Sequence, residues 1–266
     1  MKRSFISISV LILLFIGSMY LGQFAFSICT SLLACLSLKE ILYIRTSEKH
    51  VPIEIELLDY IIVVFFTMYN YELNFNYYLI DYRLIAALLL VNFIPLVLVH
   101  DKKVYNVIDA LYLIGSTLFI GVTFNLITLF RSFNMDYVIY IFLLGFFNDF
   151  YGYITGELIG TRLILPSVSA KKSVEGTISG LFMGTVIPTM YFVCCIPTDL
   201  PVYGILVISF LLSVIGQLGD LVFSFIKREF GKKDFSKIVV GSGGILDVID
   251  SIIFITLGFL LFSSII

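Results

Sequence analysis

The chain has 266 residues, 59 % of them hydrophobic and only 14 % charged, where soluble domains carry about 25 % charged residues. That composition excludes an ordinary soluble enzyme and points to a helical protein that crosses the bilayer several times. The net charge of −2 gives no reason to expect nucleic acid as a partner.

A crossing helix needs roughly 20 apolar residues. The chain offers nine candidate runs, at about 4–22, 24–38, 56–71, 84–100, 105–130, 137–158, 174–196, 201–226 and 245–266. The second and third are short, so re-entrant or tilted segments are expected there. The first follows Lys2 and Arg3 and lacks a small-residue cleavage site, which favours a retained span over a signal peptide. With the N-terminus inside, all 17 Lys and Arg except Arg83 and Arg131 fall on the inner side, as the positive-inside rule requires. The N-terminus is therefore expected in the cytoplasm. The four cysteines, Cys29, Cys35, Cys194 and Cys195, have neither zinc-site spacing nor a disulfide framework. The expected class is an all-α polytopic membrane bundle of about nine transmembrane helices. Its residues 1–135 would serve packing and lipid access, and 136–266 would carry the chemistry.

The first half reads as chemically bland. Asp59, alone at the head of the third run, is expected at the interface, and His100 to Lys103 as a solvated inner turn. The sixth run, FFNDFYGYITGELIG, differs. It holds Asn148, Asp149 and Glu157, with Gly152, Gly156 and Gly160 at spacing four. Such small-residue faces let helices approach closely, and Gly176, Gly180 and Gly184 repeat the device in the seventh run. An ionisable residue at membrane depth is a functional candidate by default, so Asp149 is one. Between these runs lie Lys171 and Lys172, then Ser173 and Glu175. Taken alone this segment reads as a basic anchor followed by a helix cap and an acid in the first turn.

The eighth run ends GQLGDLVFSFIKREFGKKD. Gln217, Asp220, Ser224 and Lys227 follow at spacings of three, four and three, and form one polar stripe on an apolar cylinder. A stripe of this kind should face a wet cavity. Then comes GSGGILDVIDS, with Asp247 and Asp250 in the first turn of the ninth run. The two acids could simply cap that helix. Taken with the stripe, hard carboxylates from two helices, ringed by lysines, suit magnesium and phosphate together. Mg²⁺ takes one or two carboxylates and completes its shell with water and phosphate oxygens. The N–H groups of Gly243 and Gly244 could also reach a phosphate.

At these residues the chain resembles the phosphatidate cytidylyltransferase family, as a divergent member. Ser224, Lys227, Arg228, Lys233, Asp234, Ser236, Gly243, Gly244, Ile245, Asp247 and Asp250 fall in register with its signature. Gln217, Gly219 and Asp220 match an upstream element; Ser169, Lys171, Lys172, Glu175 and Gly176 match its lysine loop; Asn148, Asp149, Gly156 and Gly160 match a third motif loosely. The departures are Val240 and Ala170 for Pro, Ser242 for His and Val248 for Arg. The resemblance implies an enzyme that moves the cytidylyl group of CTP onto a membrane lipid phosphate, phosphatidate first. It implies Asp220 and Asp247 as ligands of Mg²⁺, with room for a second cation, and Asp220, Asp247, Lys227 and Asp250 as catalytic residues. Lys171, Lys172, Arg228, Lys233, Asp149, Gly243, Gly244 and Ser224 are the implied substrate contacts. The expected partners are CTP, the lipid phosphate, the bilayer and a second copy in a homodimer. The rival readings are the same chemistry on another lipid phosphate, such as an isoprenoid-ether one, and a non-catalytic or transport protein that retains the fold.

Overall fold

The structure, a computed structural model, describes residues 13–46, 51–69, 82–99, 101–165, 172–239 and 243–265. Residues 13–20 are helical. Eight further helices follow: α1 (Gln23–Thr46), α2 (Ile53–Met68), α3 (Tyr82–Leu98), α4 (Val107–Phe133), α5 (Met135–Ile159), α6 (Val174–Cys195), α7 (Val202–Glu229) and α8 (Leu246–Phe262). The expected all-helical membrane bundle is what the chain forms. Among the described residues, α1, α4, α5, α6 and α7 are long and apolar enough to cross a bilayer; α3 is a shorter apolar helix.

The run expected at 24–38 is not a short or re-entrant segment. It is the 24-residue α1, and it continues through Lys39, Glu40 and Arg45. Charges did not end the helix because two of them find partners inside the protein. The Arg45 guanidinium donates to Asp109 Oδ1 at 2.5 Å and to the Ile108 carbonyl at 3.0 Å, and it lies over the Tyr112 ring. Glu40 is buried.

The helices form two compact units, one of residues 1–133 with 234–246, the other of 134–233 with 247–266. In the first, hydroxyls and amides tie helix to helix. Thr30 meets Thr128 at 3.0 Å, Ser31 meets Thr67, and Asn125 Nδ2 donates to the Phe66 carbonyl. In lipid the tails are as apolar as leucine, so helices associate through close packing and such bonds, each worth about 0.6–2 kcal/mol. Asp59 is fully buried here, not interfacial as expected: Asn92 on α3 donates to its Oδ1 at 2.8 Å, and the Tyr105 hydroxyl donates to the Asn92 carbonyl. A local reading of one acid cannot anticipate a partner 33 residues away.

The second unit is built on small residues. Asn134 caps α5 and Ser173 caps α6, the latter by accepting from the Gly176 N–H at 3.1 Å, with Glu175 in the first turn as expected. A side chain at Gly176 would collide with the Gly152 carbonyl, so the two glycine faces bring α5 and α6 backbone to backbone. The Asn148 amide then crosses to the Ser213 carbonyl at 2.8 Å, while Gln217 Nε2 donates to Asn148 Oδ1 at 2.7 Å and to the Thr177 carbonyl at 3.0 Å. Tyr140 bonds Ser209 and packs edge-on against Phe192. These contacts fix α5, α6 and α7 around the polar residues of the unit.

Candidate active site

The stripe on α7 turns into the second unit, and its members separate by task. Gln217 is structural, through the amide network above. Asp220, one turn further, forms an ion pair through Oδ2 with Lys172, the residue just before the Ser173 cap of α6. Ser224 Oγ lies 3.5 Å from Asp220 Oδ1, at the limit of a hydrogen bond. Lys227 is buried and donates from Nζ to Asp247 Oδ1 at 2.7 Å. The last turn of α7 and the first turn of α8 are thereby joined.

The other acids arrive from α5 and α8. Asp250, one helical turn after Asp247, is buried, with Oδ1 accepting the Ser251 N–H at 2.8 Å. The Ser251 hydroxyl donates to Asp149 Oδ2 at 2.7 Å. Asp149, Asp220 and Asp250 lie close enough to repel one another. Asp149 is exposed on α5, and its carboxylate is held by the Ser251 hydroxyl. Four carboxylates thus share one region with two described ammonium groups, Lys172 and Lys227.

Like charges held together in a poorly solvated place are costly unless cations balance them. Among the described residues, no group of three His, Cys, Asp or Glu side chains is arranged to hold a metal ion by itself. That is not the demand magnesium makes. A hard ion of this kind takes one or two carboxylates and leaves its remaining positions to water and phosphate. The oxygen-only donor set and the excess of acids over lysines fit it.

The remaining candidates fall elsewhere. Lys171 and Ser242 lie outside the described residues. Arg228 is exposed and donates from Nη1 to the Lys232 carbonyl, and Lys233 is exposed. The Gly243 N–H donates to the Val239 carbonyl at 3.2 Å, so it is committed within its own turn, and a side chain at Gly244 would run into the Glu40 carboxylate. Two residues escaped the sequence reading. Ser251 stood beside Asp250 but gave no sign that it would bridge to α5. Glu40 falls just past the run read at 24–38 and carried no signal of its own.

The model of the cytidylyltransferase family matches residues 2–266, essentially the whole chain. The chain belongs to that family. It is 36 % identical over 159 residues to proteins named phosphatidate cytidylyltransferase from Staphylococcus haemolyticus and Staphylococcus aureus, a match that covers 59 % of this chain and 60 % of each relative. A protein of the same name from Staphylococcus epidermidis is 33 % identical over 157 residues. The match thus spans about three fifths of the curated relatives' length.

Proposed function

We propose that this protein transfers the cytidylyl group of CTP to a lipid phosphate at the membrane surface, with phosphatidate as acceptor and CDP-diacylglycerol and pyrophosphate as products. One observation carries this reading. Asp149, Asp220, Asp247 and Asp250 gather with Lys172 and Lys227 in a chain of the cytidylyltransferase family. The relatives' names support phosphatidate as the acceptor.

In this reading an oxygen of the lipid phosphate attacks the α-phosphorus of CTP. The new P–O bond forms as the bond to the β-phosphate bridging oxygen breaks, and pyrophosphate leaves with that electron pair. The nucleophile is already an anion, so no strong general base is required. Catalysis is then positioning and charge neutralisation. Lys172 and Lys227 are assigned to phosphate oxygens, where an ammonium acts as a point charge. Asp220 and Asp247 are assigned to magnesium, which when bound supplies positive charge to the phosphates. Asp149 and Asp250 hold the carboxylate side of the pocket, and Ser251 orients Asp149.

The acceptor is the finer point. Val248 stands where the family signature has an arginine, and a valine cannot replace a fork-shaped phosphate ligand. Purified protein is therefore given CTP labelled at the α-phosphate, with phosphatidate in one arm and an isoprenoid-ether lipid phosphate in the other. Label entering the phosphatidate lipid supports the proposal. Label entering only the ether lipid transfers the chemistry to a different acceptor, and label in neither, with active family enzyme as a positive control, refutes it. The reading also requires a cytoplasmic site. In a variant with the four native cysteines replaced by serine, Lys233→Cys in intact cells should resist an impermeant thiol reagent, and labelling from outside would contradict the assignment of CTP.

A further inference from the structure

We propose that Glu40, in the helix of the first unit that no motif singled out, is a positioning residue for the turn that leads into Asp247. This inference rests on the function proposed above. Glu40 is only 1 % exposed. Its Oε1 accepts the Ser236 hydroxyl at 2.6 Å and the Ile245 N–H at 2.8 Å, and its Oε2 accepts the Leu246 N–H at 2.8 Å. Leu246 opens α8, so these are N–H groups of a helix start, which lack acceptors inside the helix. A carboxylate is the best acceptor there, because the helix dipole favours negative charge.

Helix starts are ordinarily satisfied by the residue at the cap itself. Here the acid comes from 205 and 206 residues earlier in the chain. A local cap orders its own helix and nothing else. A cap from α1 also fixes where the helix begins within the first unit. Gly244 lies against the Glu40 carboxylate so closely that a methyl group would collide. The turn is closed by reciprocal bonds between Val239 and Gly243, with Gly243 at φ 96°, a backbone region open to glycine. Ser236, the third donor to Glu40, also accepts the Ile238 N–H at 3.2 Å. Asp247 is the next residue in the chain after Leu246. Residues that hold a ligand residue in place typically matter by about 10–100-fold in metal affinity or activity.

Glu40→Gln and Glu40→Ala test this with two readouts in full-length protein in nanodiscs. The first is hydrogen exchange of the Ile245 and Leu246 amides, which needs no activity. The second is the CTP-to-phosphatidate rate, per folded protein, as a function of magnesium chloride. Both variants should exchange faster at those amides. They should also need about tenfold more magnesium for half-maximal rate, a shift that a merely destabilised fold does not produce. Asp59→Asn, at another buried acid of the first unit, should leave both readouts at wild-type values. Gly244→Ala should reproduce the Glu40→Gln phenotype by crowding the carboxylate, and Glu40→Ala with Gly244→Ala should be no worse than Glu40→Ala alone. Unchanged exchange in Glu40→Gln overturns the inference, and so does faster exchange with an unchanged magnesium dependence. If wild-type protein transfers no cytidylyl group, the functional reading fails, and the exchange arm still decides whether Glu40 holds the turn.

Discussion

The two units treat buried acids in opposite ways. In the first, Glu40, Asp59 and Asp109 lie apart, each with donors from its own surroundings: Ser236 and two helix N–H groups, Asn92, and Arg45 with the Asn106 N–H. In the second, Asp149, Asp220, Asp247 and Asp250 crowd together, with lysines as the principal counter-charges. Isolated acids, each with a donor from a neighbouring segment, hold helices in register. In the function proposed above, the crowded, net-negative group beside two ammonium ions would receive a ligand that brings both metal and phosphate. Removing an acid from the first unit should therefore cost stability, and removing one from the second should cost rate.

Asp247→Asn should break the comparison most visibly, because Asp247 belongs to both categories. It breaks the buried Lys227–Asp247 ion pair, a loss of about 3 kcal/mol in stability, and it should abolish nucleotidyl transfer in the protein that still folds. Melting in detergent and the labelled-CTP assay separate the two effects. A stable variant with normal turnover would remove Asp247 from the site. Asp109→Asn is the counterpart in the first unit. It should lower stability by about 3 kcal/mol, by uncoupling Arg45, while turnover per folded molecule stays at the wild-type value. A rate loss without a stability loss would erase the distinction between the units.

Smaller effects sharpen the picture. Gly176→Ala pushes a methyl group against the α5 backbone, and overpacking of this kind costs about 1–3 kcal/mol. Its melting temperature should fall, and the rate should fall in step with the displaced Lys172–Asp220 pair. Ser251→Ala removes only the hydroxyl that donates to Asp149. A hydrogen bond to a charged group contributes about 1.5 kcal/mol to stability, so a modest fall in melting temperature is expected, with a rate loss of at most roughly tenfold if Ser251 orients Asp149.

The sequence was most informative where physical constraints are local. The Ser173 cap and the glycine faces of α5 and α6 follow from helical period and residue type and are found as read; the α7 stripe is found turned toward protein partners, Asn148, Lys172 and Asp247. Lys227 and Asp247 were both candidates from motif register, though not as partners of one another. What stayed hidden depends on partners distant in the chain. Nothing near Asp59 announces Asn92, and nothing near Glu40 announces Ser236 and the start of α8. Charges also misled the boundary of α1: the apolar run ends at residue 38 with Arg45 on the inner side, yet tertiary partners of Glu40 and Arg45 let the helix continue past them.

The most direct test of the central claim is Asp220→Asn. Asp220 is paired with the partly exposed Lys172, so its loss leaves no deeply buried charge and the variant should fold with a near-wild-type melting temperature. Transfer of α-labelled CTP to phosphatidate should drop below about a tenth of the wild-type rate, a barrier increase above roughly 1.4 kcal/mol. A folded Asp220→Asn protein that keeps more than that would contradict the assignment of the acid cluster in the second unit as the catalytic centre.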